Sequence, residues 1–169
     1  MMTIAEVNGL SSVGFIGAFG AVYEHSAWVA GQAADERPFD SRDALMAAMR
    51  DVVEEASDER KLELIRAHPD LAGKLARAGA LTAESTREQS GLGLDRLGDE
   101  EYERFTDLND RYRARFGFPF IICARMSTRD SVLEAFEKRL THDRDEEIAE
   151  ALRQIHHIAR LRIEDLVEG

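Results

Sequence analysis

Phe118-Pro119-Phe120-Ile121-Ile122-Cys123-Ala124 is the one stretch of the chain with strand character, and it is apolar throughout. No second stretch of that kind exists to pair with it, so the pattern does not build a sheet. A lone apolar run between two long helical segments is a buried connector, and its backbone must find unusual hydrogen-bond partners. Outward from it, the apolar spacing is helical almost everywhere. Leu45, Met46, Met49, Val52 and Val53 form one stripe, and Tyr102, Phe105, Leu108, Tyr112 and Phe116 form another. Ser41 before Arg42-Asp43, Asp58 before Glu59-Arg60 and Asp99 before Glu100-Glu101 each place a side-chain acceptor where a helix needs its first amides capped. The spacing predicts helices near 12–24, 41–56, 58–67, 69–78, 83–90, 99–116, 129–140 and 144–167. The expected fold is all-α: a single compact domain over 1–169 of roughly eight to ten helices, with one buried extended connector. Gly91-Leu92-Gly93 and Gly117 punctuate it as turns or helix stops.

With 169 residues, 44% hydrophobic and 33% charged, and only 3 Pro, the composition excludes disordered, collagenous and multi-domain classes. Acidic residues outnumber basic ones 33 to 22, and the net charge of -11 repels nucleic acid and anionic membrane surfaces, so neither is an expected partner. A single cysteine, Cys123, excludes an internal disulfide framework and an all-cysteine zinc site and suits a reducing compartment. The opening MMTIAEVNGL lacks a signal-peptide pattern, and no run approaches the ~20 apolar residues of a membrane span. The expected location is cytoplasmic.

Three places could carry chemistry. His68-Pro69 is the first, because a residue before proline is pushed out of the α region while proline suits the first turn of a helix. The expectation is that one helix ends and another begins there. Free amides near Asp70 and Leu71 would then hold an anion beside a histidine that titrates near neutrality. The second is Ser85-Thr86-Arg87-Glu88-Gln89. Ser85 with Glu88 has capping-box spacing, which alone would explain both, and the same turn also presents a hydroxyl, a carboxylate and an amide to a polar ring. The third is Arg162. Ile148, Leu152, Ile155, Ala159 and Leu166 form one apolar face of the last helix, and at ~100° per residue Arg162 falls within it while Arg160 does not. An inward guanidinium needs either an internal carboxylate or a bound anion.

Other candidates fail on geometry. His156-His157 diverge by ~100° on a helix and do not share a metal ion. His25 and His142 lack ligand spacing to another His or Cys, and Cys123 in its apolar run is an inert buried thiol.

Taken in order, several segments resemble the 2-oxo-4-hydroxy-4-carboxy-5-ureidoimidazoline (OHCU) decarboxylases of urate degradation. They are Ser26-Ala27-Trp28-Val29-Ala30, Arg37-Pro38-Phe39, Ala67-His68-Pro69-Asp70-Leu71-Ala72-Gly73, the run from Ser85 to Gln89, Phe116-Gly117-Phe118-Pro119-Phe120-Ile121 and Ile158-Ala159-Arg160-Leu161-Arg162. The resemblance covers nearly the whole chain. It implies an all-helical enzyme with no cofactor and no metal that converts a small anionic ureidoimidazoline to (S)-allantoin and CO2. By position it implies catalytic roles for His68 and Glu88. It implies substrate contacts from Pro69, Ser85, Thr86, Arg87, Glu88 and Gln89, from the backbone of Phe120, Ile121, Ile122, Cys123 and Ala124, and from Arg162. It also allows a homodimer. The chain departs from the family pattern at Ser90-Gly91-Leu92-Gly93-Leu94 and at Arg125-Met126.

Two rivals come from other classes. His68-Pro69-Asp70 is also the tripeptide of J-domain co-chaperones, but those carry a basic helix before it, whereas residues 54–63 here are predominantly acidic. An acidic helical interaction domain would explain the charge and the stripes but not an arginine in the centre of an apolar face, and Arg162 ion-paired to a buried Asp or Glu with no cavity nearby would favour it.

Overall fold

Side-chain caps set where most helices begin. The computed structural model describes residues 1–169 and contains ten of them: α1 (Ile4–Gly9), α2 (Ser12–Phe19), α3 (Trp28–Ala33), α4 (Arg42–Glu54), α5 (Asp58–Arg66), α6 (Lys74–Arg77), α7 (Ala83–Gly91), α8 (Asp99–Phe116), α9 (Arg129–Arg139) and α10 (Arg144–Leu166). Short 3-10 turns occupy Ala34–Glu36 and Ala124–Met126. The fold is all-α, as the spacing predicts, and the sole strand-like pairing is an isolated bridge between Met2 and Val167. No helix is long and apolar enough to cross a membrane.

Ser41 caps α4 as expected, accepting from Ala44 N–H. Elsewhere the boundaries shift. Ser57, not Asp58, caps α5, and Gly98, not Asp99, precedes α8, so both aspartates serve the first turn of the helix dipole instead. Thr82 caps α7 by accepting from Ser85 N–H. Ser85 is therefore the third residue of that helix, and the capping-box explanation of Ser85 and Glu88 does not hold. The helix expected over 12–24 stops at Phe19, and α1 and α3 were not anticipated because both are only six residues long. The largest departure is after Pro69. The expected helix over 69–78 is reduced to Lys74–Arg77, and 68–73 is an irregular loop in which Ala72 has φ +52. Gly117 ends α8 in the left-handed region at φ +79, the conformation glycine adopts without a Cβ penalty.

The chain divides into two compact units, Met1–Ala67 with His156–Gly169, and His68–Ile155. In the first, α3 packs against α2 and α4, and Phe15, Phe19, Val29, Leu45, Met49 and Val53 are buried. Arg60 lies over Trp28 at 4.3 Å from the ring centroid. Tyr23 Oη and His156 Nδ1 are 2.9 Å apart, and His156 Nε2 lies 2.7 Å from Glu54 Oε1. The assignment that satisfies both contacts has Nε2–H donating to the carboxylate and Nδ1 accepting from the phenol.

The second unit is built around aromatic rings. Phe120 and Phe136 stack with centroids 3.7 Å apart, and Tyr112 meets Phe120 edge-on at 5.3 Å. Such pairs contribute about 0.5–1.5 kcal/mol beyond their burial. They hold the connector in place as a buried, unpaired extended segment.

Burial pulls the His156 imidazole below its ordinary value, with the Glu54 hydrogen bond opposing it. The native state then disfavours the charged form. Stability should be complete above the unfolded value of about 6.5 and decline as pH falls through the window below it. Comparing Tm at about pH 7.5 and about pH 5.5, His156→Gln should show a smaller loss than the parent chain. An equal loss in both would remove His156 as the cause.

Candidate active site

The irregular loop exists because side chains from two helices take over its backbone. Gln89 of α7 uses both ends of its amide: Oε1 accepts from Ala72 N–H at 2.9 Å, and Nε2 donates to Asp70 O at 3.3 Å. Asn109 of α8 donates through Nδ2 to Leu71 O at 2.8 Å. Arg113 Nε donates to the Asp70 carboxylate at 2.9 Å. The three bonds to backbone groups provide what a helix would have supplied internally, and the Arg113 ion pair adds to them, so Pro69 does not start a helix. No helix N-terminus lies at Asp70 and Leu71, so the helix-end reason for an anion site there falls away. His68, at the head of this loop, is 7% exposed. A half-buried Pro69 follows it.

Within the same unit, α7 packs against the 3-10 turn Ala124–Met126 that ends the connector. Ser85 and Gln89 are buried, Thr86 and Glu88 half-buried, and Arg87 exposed. The Glu88 carboxylate is close enough to raise the Cys123 thiol pKa, although burial is the larger cause of that rise. The thiol is therefore inert, in agreement with the sequence reading. The loop headed by His68 and the end of the connector thus both pack on α7, with Gln89 common to the loop and to α7.

The connector's backbone is satisfied by side chains rather than by a neighbouring strand. Arg139 Nη1 donates to Ile121 O at 2.6 Å, and Cys123 N–H donates to Gln154 Oε1 at 2.9 Å. Cys123 O accepts from Ser127 Oγ at 2.9 Å and from Met126 N–H at 3.1 Å. Both backbone groups of Cys123 are therefore already engaged, and Ile122 alone of residues 118–124 is half-buried.

A family model described as OHCU decarboxylase matches residues 8–164. The chain belongs to the OHCU decarboxylase family. The 2-oxo-4-hydroxy-4-carboxy-5-ureidoimidazoline decarboxylase of Haloferax volcanii is 43% identical over 162 residues, 96% of this chain and 94% of that protein. The protein of the same name from Halalkalicoccus jeotgali is 42% identical over 165 residues, 98% of this chain and 92% of that one. The crystal structure of an (S)-allantoin synthase matches with a TM-score of 0.80 at 32% identity, covering 99% of this chain and 54% of that chain. A solved OHCU decarboxylase shares the fold at a TM-score of 0.70 and 24% identity. Family membership agrees with the resemblance read from the sequence and sets aside the J-domain alternative.

Arg162 belongs to the other unit, and there it is buried while Arg160 is exposed, as the helical wheel requires. Its Nη1 donates to Glu24 Oε2 at 2.8 Å and to Ala21 O at 3.1 Å, with side-chain exposures of 5% and 2% for the ion pair. An internal carboxylate is thus present, one of the two alternatives open from sequence.

Residues missed by sequence reasoning include Asn109, Arg113, Tyr112, Arg139 and Glu147. A signal for two of them existed. Asn109 sits in the stripe of Phe105, Leu108 and Tyr112, and Arg139 follows Val132 and Phe136 at i+7 and i+3, polar groups on apolar faces of the kind that singled out Arg162.

Two outcomes follow. Gln89→Leu leaves buried backbone groups of Asp70 and Ala72 without partners, so it should cost at least about 2 kcal/mol in urea unfolding and lower turnover as well. Full stability would mean the loop is held by other contacts. Arg162→Ala removes the guanidinium that faces the buried Glu24 carboxylate and should cost about 3–5 kcal/mol, a drop in Tm that a purely ligand-facing arginine would not show.

Proposed function

We propose that the chain removes CO2 from 2-oxo-4-hydroxy-4-carboxy-5-ureidoimidazoline to give (S)-allantoin, with His68 as the general acid/base. The activity class, a carboxy-lyase of urate degradation, is that of the family to which the chain belongs. The observation that supports a central role for His68 is structural: it heads a loop whose backbone is clamped by Gln89 and Asn109, next to the α7 residues and the connector. A braced loop holds the backbone beside His68 in one place, and proton transfer depends on such positioning.

The reaction needs no added electron sink. Breaking the bond to the carboxylate leaves its electron pair on the ring carbon that carries the hydroxyl, and that pair forms a double bond to the neighbouring carbon. The C=N electrons move to nitrogen, which is protonated. The resulting enol loses its hydroxyl proton as a carbonyl forms, and a proton added to one face of the neighbouring carbon sets the (S) centre. His68 takes or returns these protons. Glu88, half-buried on α7, holds ring or ureido N–H groups as an acceptor. Ser85, Thr86 and the connector's backbone outside Cys123 contribute neutral hydrogen bonds, and Arg162, whose charge is already met by Glu24, is a weaker candidate for the substrate's carboxylate. Arg87 is exposed and Gln89 has both ends of its amide engaged, so among the α7 residues these two are the weaker candidates for substrate contact. On this reading residues 1–169 act as one functional domain.

The test generates the unstable substrate from urate with urate oxidase and hydroxyisourate hydrolase, then follows circular dichroism with and without the protein. Fast formation of (S)-allantoin is expected, with His68→Ala reducing kcat by at least about 100-fold while far-ultraviolet dichroism is unchanged. Racemic product at the spontaneous rate would reject the activity. Unchanged kcat in the variant would reject His68.

A further inference from the structure

The chemistry above uses the connector's backbone but not the polar cluster attached to it. Arg139 and Glu147 are 4% and 0% exposed. Arg139 Nε donates to Glu147 Oε1 at 2.7 Å, and Tyr112 Oη donates to the same oxygen at 2.5 Å. His142 Nδ1 lies 2.9 Å from Glu147 Oε2. The Arg139 guanidinium also covers the Phe120 ring at 4.2 Å from its centroid. An ion pair this deeply buried is weak evidence of a stabilising device, because apolar residues of similar volume often serve stability as well or better. Its geometry has a more specific consequence. The guanidinium's Nη2 donates to Tyr112 Oη at 3.5 Å, and its Nη1 donates to Ile121 O at 2.6 Å.

That oxygen belongs to the peptide joining Ile121 to Ile122. A charged donor on the carbonyl withdraws electron density from the peptide and makes the N–H at its other end a stronger hydrogen-bond donor. The N–H in question is that of Ile122, the only residue of 118–124 that is not fully buried. Of the other connector residues, Pro119 has no N–H, that of Cys123 is engaged by Gln154, and Phe120, Ile121 and Ala124 are buried.

We infer that Arg139, held by Glu147 and Tyr112, is a positioning residue that fixes and polarises the Ile121-Ile122 peptide so that Ile122 N–H donates to a carbonyl oxygen of the ureidoimidazoline ring or its ureido group. This rests on the proposed function. Arg139 itself touches no substrate, and its effect is transmitted through one peptide plane. The Glu147 carboxylate and the Phe120 ring keep the guanidinium from rotating away from Ile121 O.

The test pairs kinetics with an amide-specific signal. In the 15N-labelled parent chain, titration with (S)-allantoin should move the Ile122 amide proton downfield, more than the other amides of residues 118–124. An unmoved Ile122 amide overturns the inference without any variant. Arg139→Met with Glu147→Met removes both charges at once and leaves no stranded ion. This double variant should keep its helical dichroism, lose about tenfold in kcat/KM and show the Ile122 amide proton upfield of its parent position before any ligand is added. Arg139→Lys, which keeps a charged donor for Ile121 O, should retain most of kcat/KM. A folded double variant with parental kcat/KM and an unshifted Ile122 amide overturns the proposal. If the double variant fails to fold, the parent titration decides. Turnover by the parent chain is measured first, and its absence would reject the decarboxylase reading itself rather than the role of Arg139.

Discussion

A buried stretch of extended backbone with no strand beside it must find partners for its N–H and C=O groups, because an unpaired group in the interior costs about 1–3 kcal/mol. Residues 118–124 meet that constraint with side chains. The acceptor for Cys123 N–H is Gln154, and the donor for Ile121 O is Arg139, whose charge in turn demands Glu147, which is itself bonded by Tyr112 and contacted by His142. One unpaired strand therefore recruits residues from α8, α9 and α10. The stacked Phe120 and Phe136 complete the arrangement by excluding water around it.

The loop headed by His68 follows the same logic. Gln89 and Asn109 carry the hydrogen bonds that a helix would otherwise make, and their grip permits the positive φ of Ala72, which an L-residue does not adopt without support. There is a general reason for both features in a protein of this class. Helices satisfy their own backbone, so an all-α chain offers ligand-facing peptide groups only where it is irregular. A decarboxylase that recognises a ring rich in N–H and C=O groups needs such peptides. Two irregular segments of the His68–Ile155 unit, residues 68–73 and the connector, are both braced by buried polar side chains.

Buried charge in this chain is consistently paired. Arg162 meets Glu24 and Arg139 meets Glu147, while the His156 ring, whose charged form burial disfavours, is hydrogen-bonded on both sides, to Tyr23 and to Glu54. The carboxylate on Arg162 does not make the chain an inert interaction domain. Family membership over residues 8–164 outweighs that reading.

The all-α class was readable from residue order because period-3.6 stripes report which face is buried regardless of what covers it, and a single strand-like run without a mate excludes a sheet. Arg162 could be chosen over Arg160 for the same reason, and the order of the short segments was sufficient to suggest the family. Helix ends were less readable. Asp58 and Ser57 are both good caps, and only the folded backbone selects between them. The Pro69 signal was overridden because Gln89 and Asn109, 17 or more residues away in sequence, satisfy the loop's backbone groups. The partners of Arg162 and Arg139 lie 138 and 8 residues away, and no local pattern specifies which carboxylate a buried guanidinium will meet. Periodicity belongs to a single element, whereas hydrogen-bond pairing depends on how elements pack, and so the helices could be read from the chain while the groups available to a substrate were settled only when it folded.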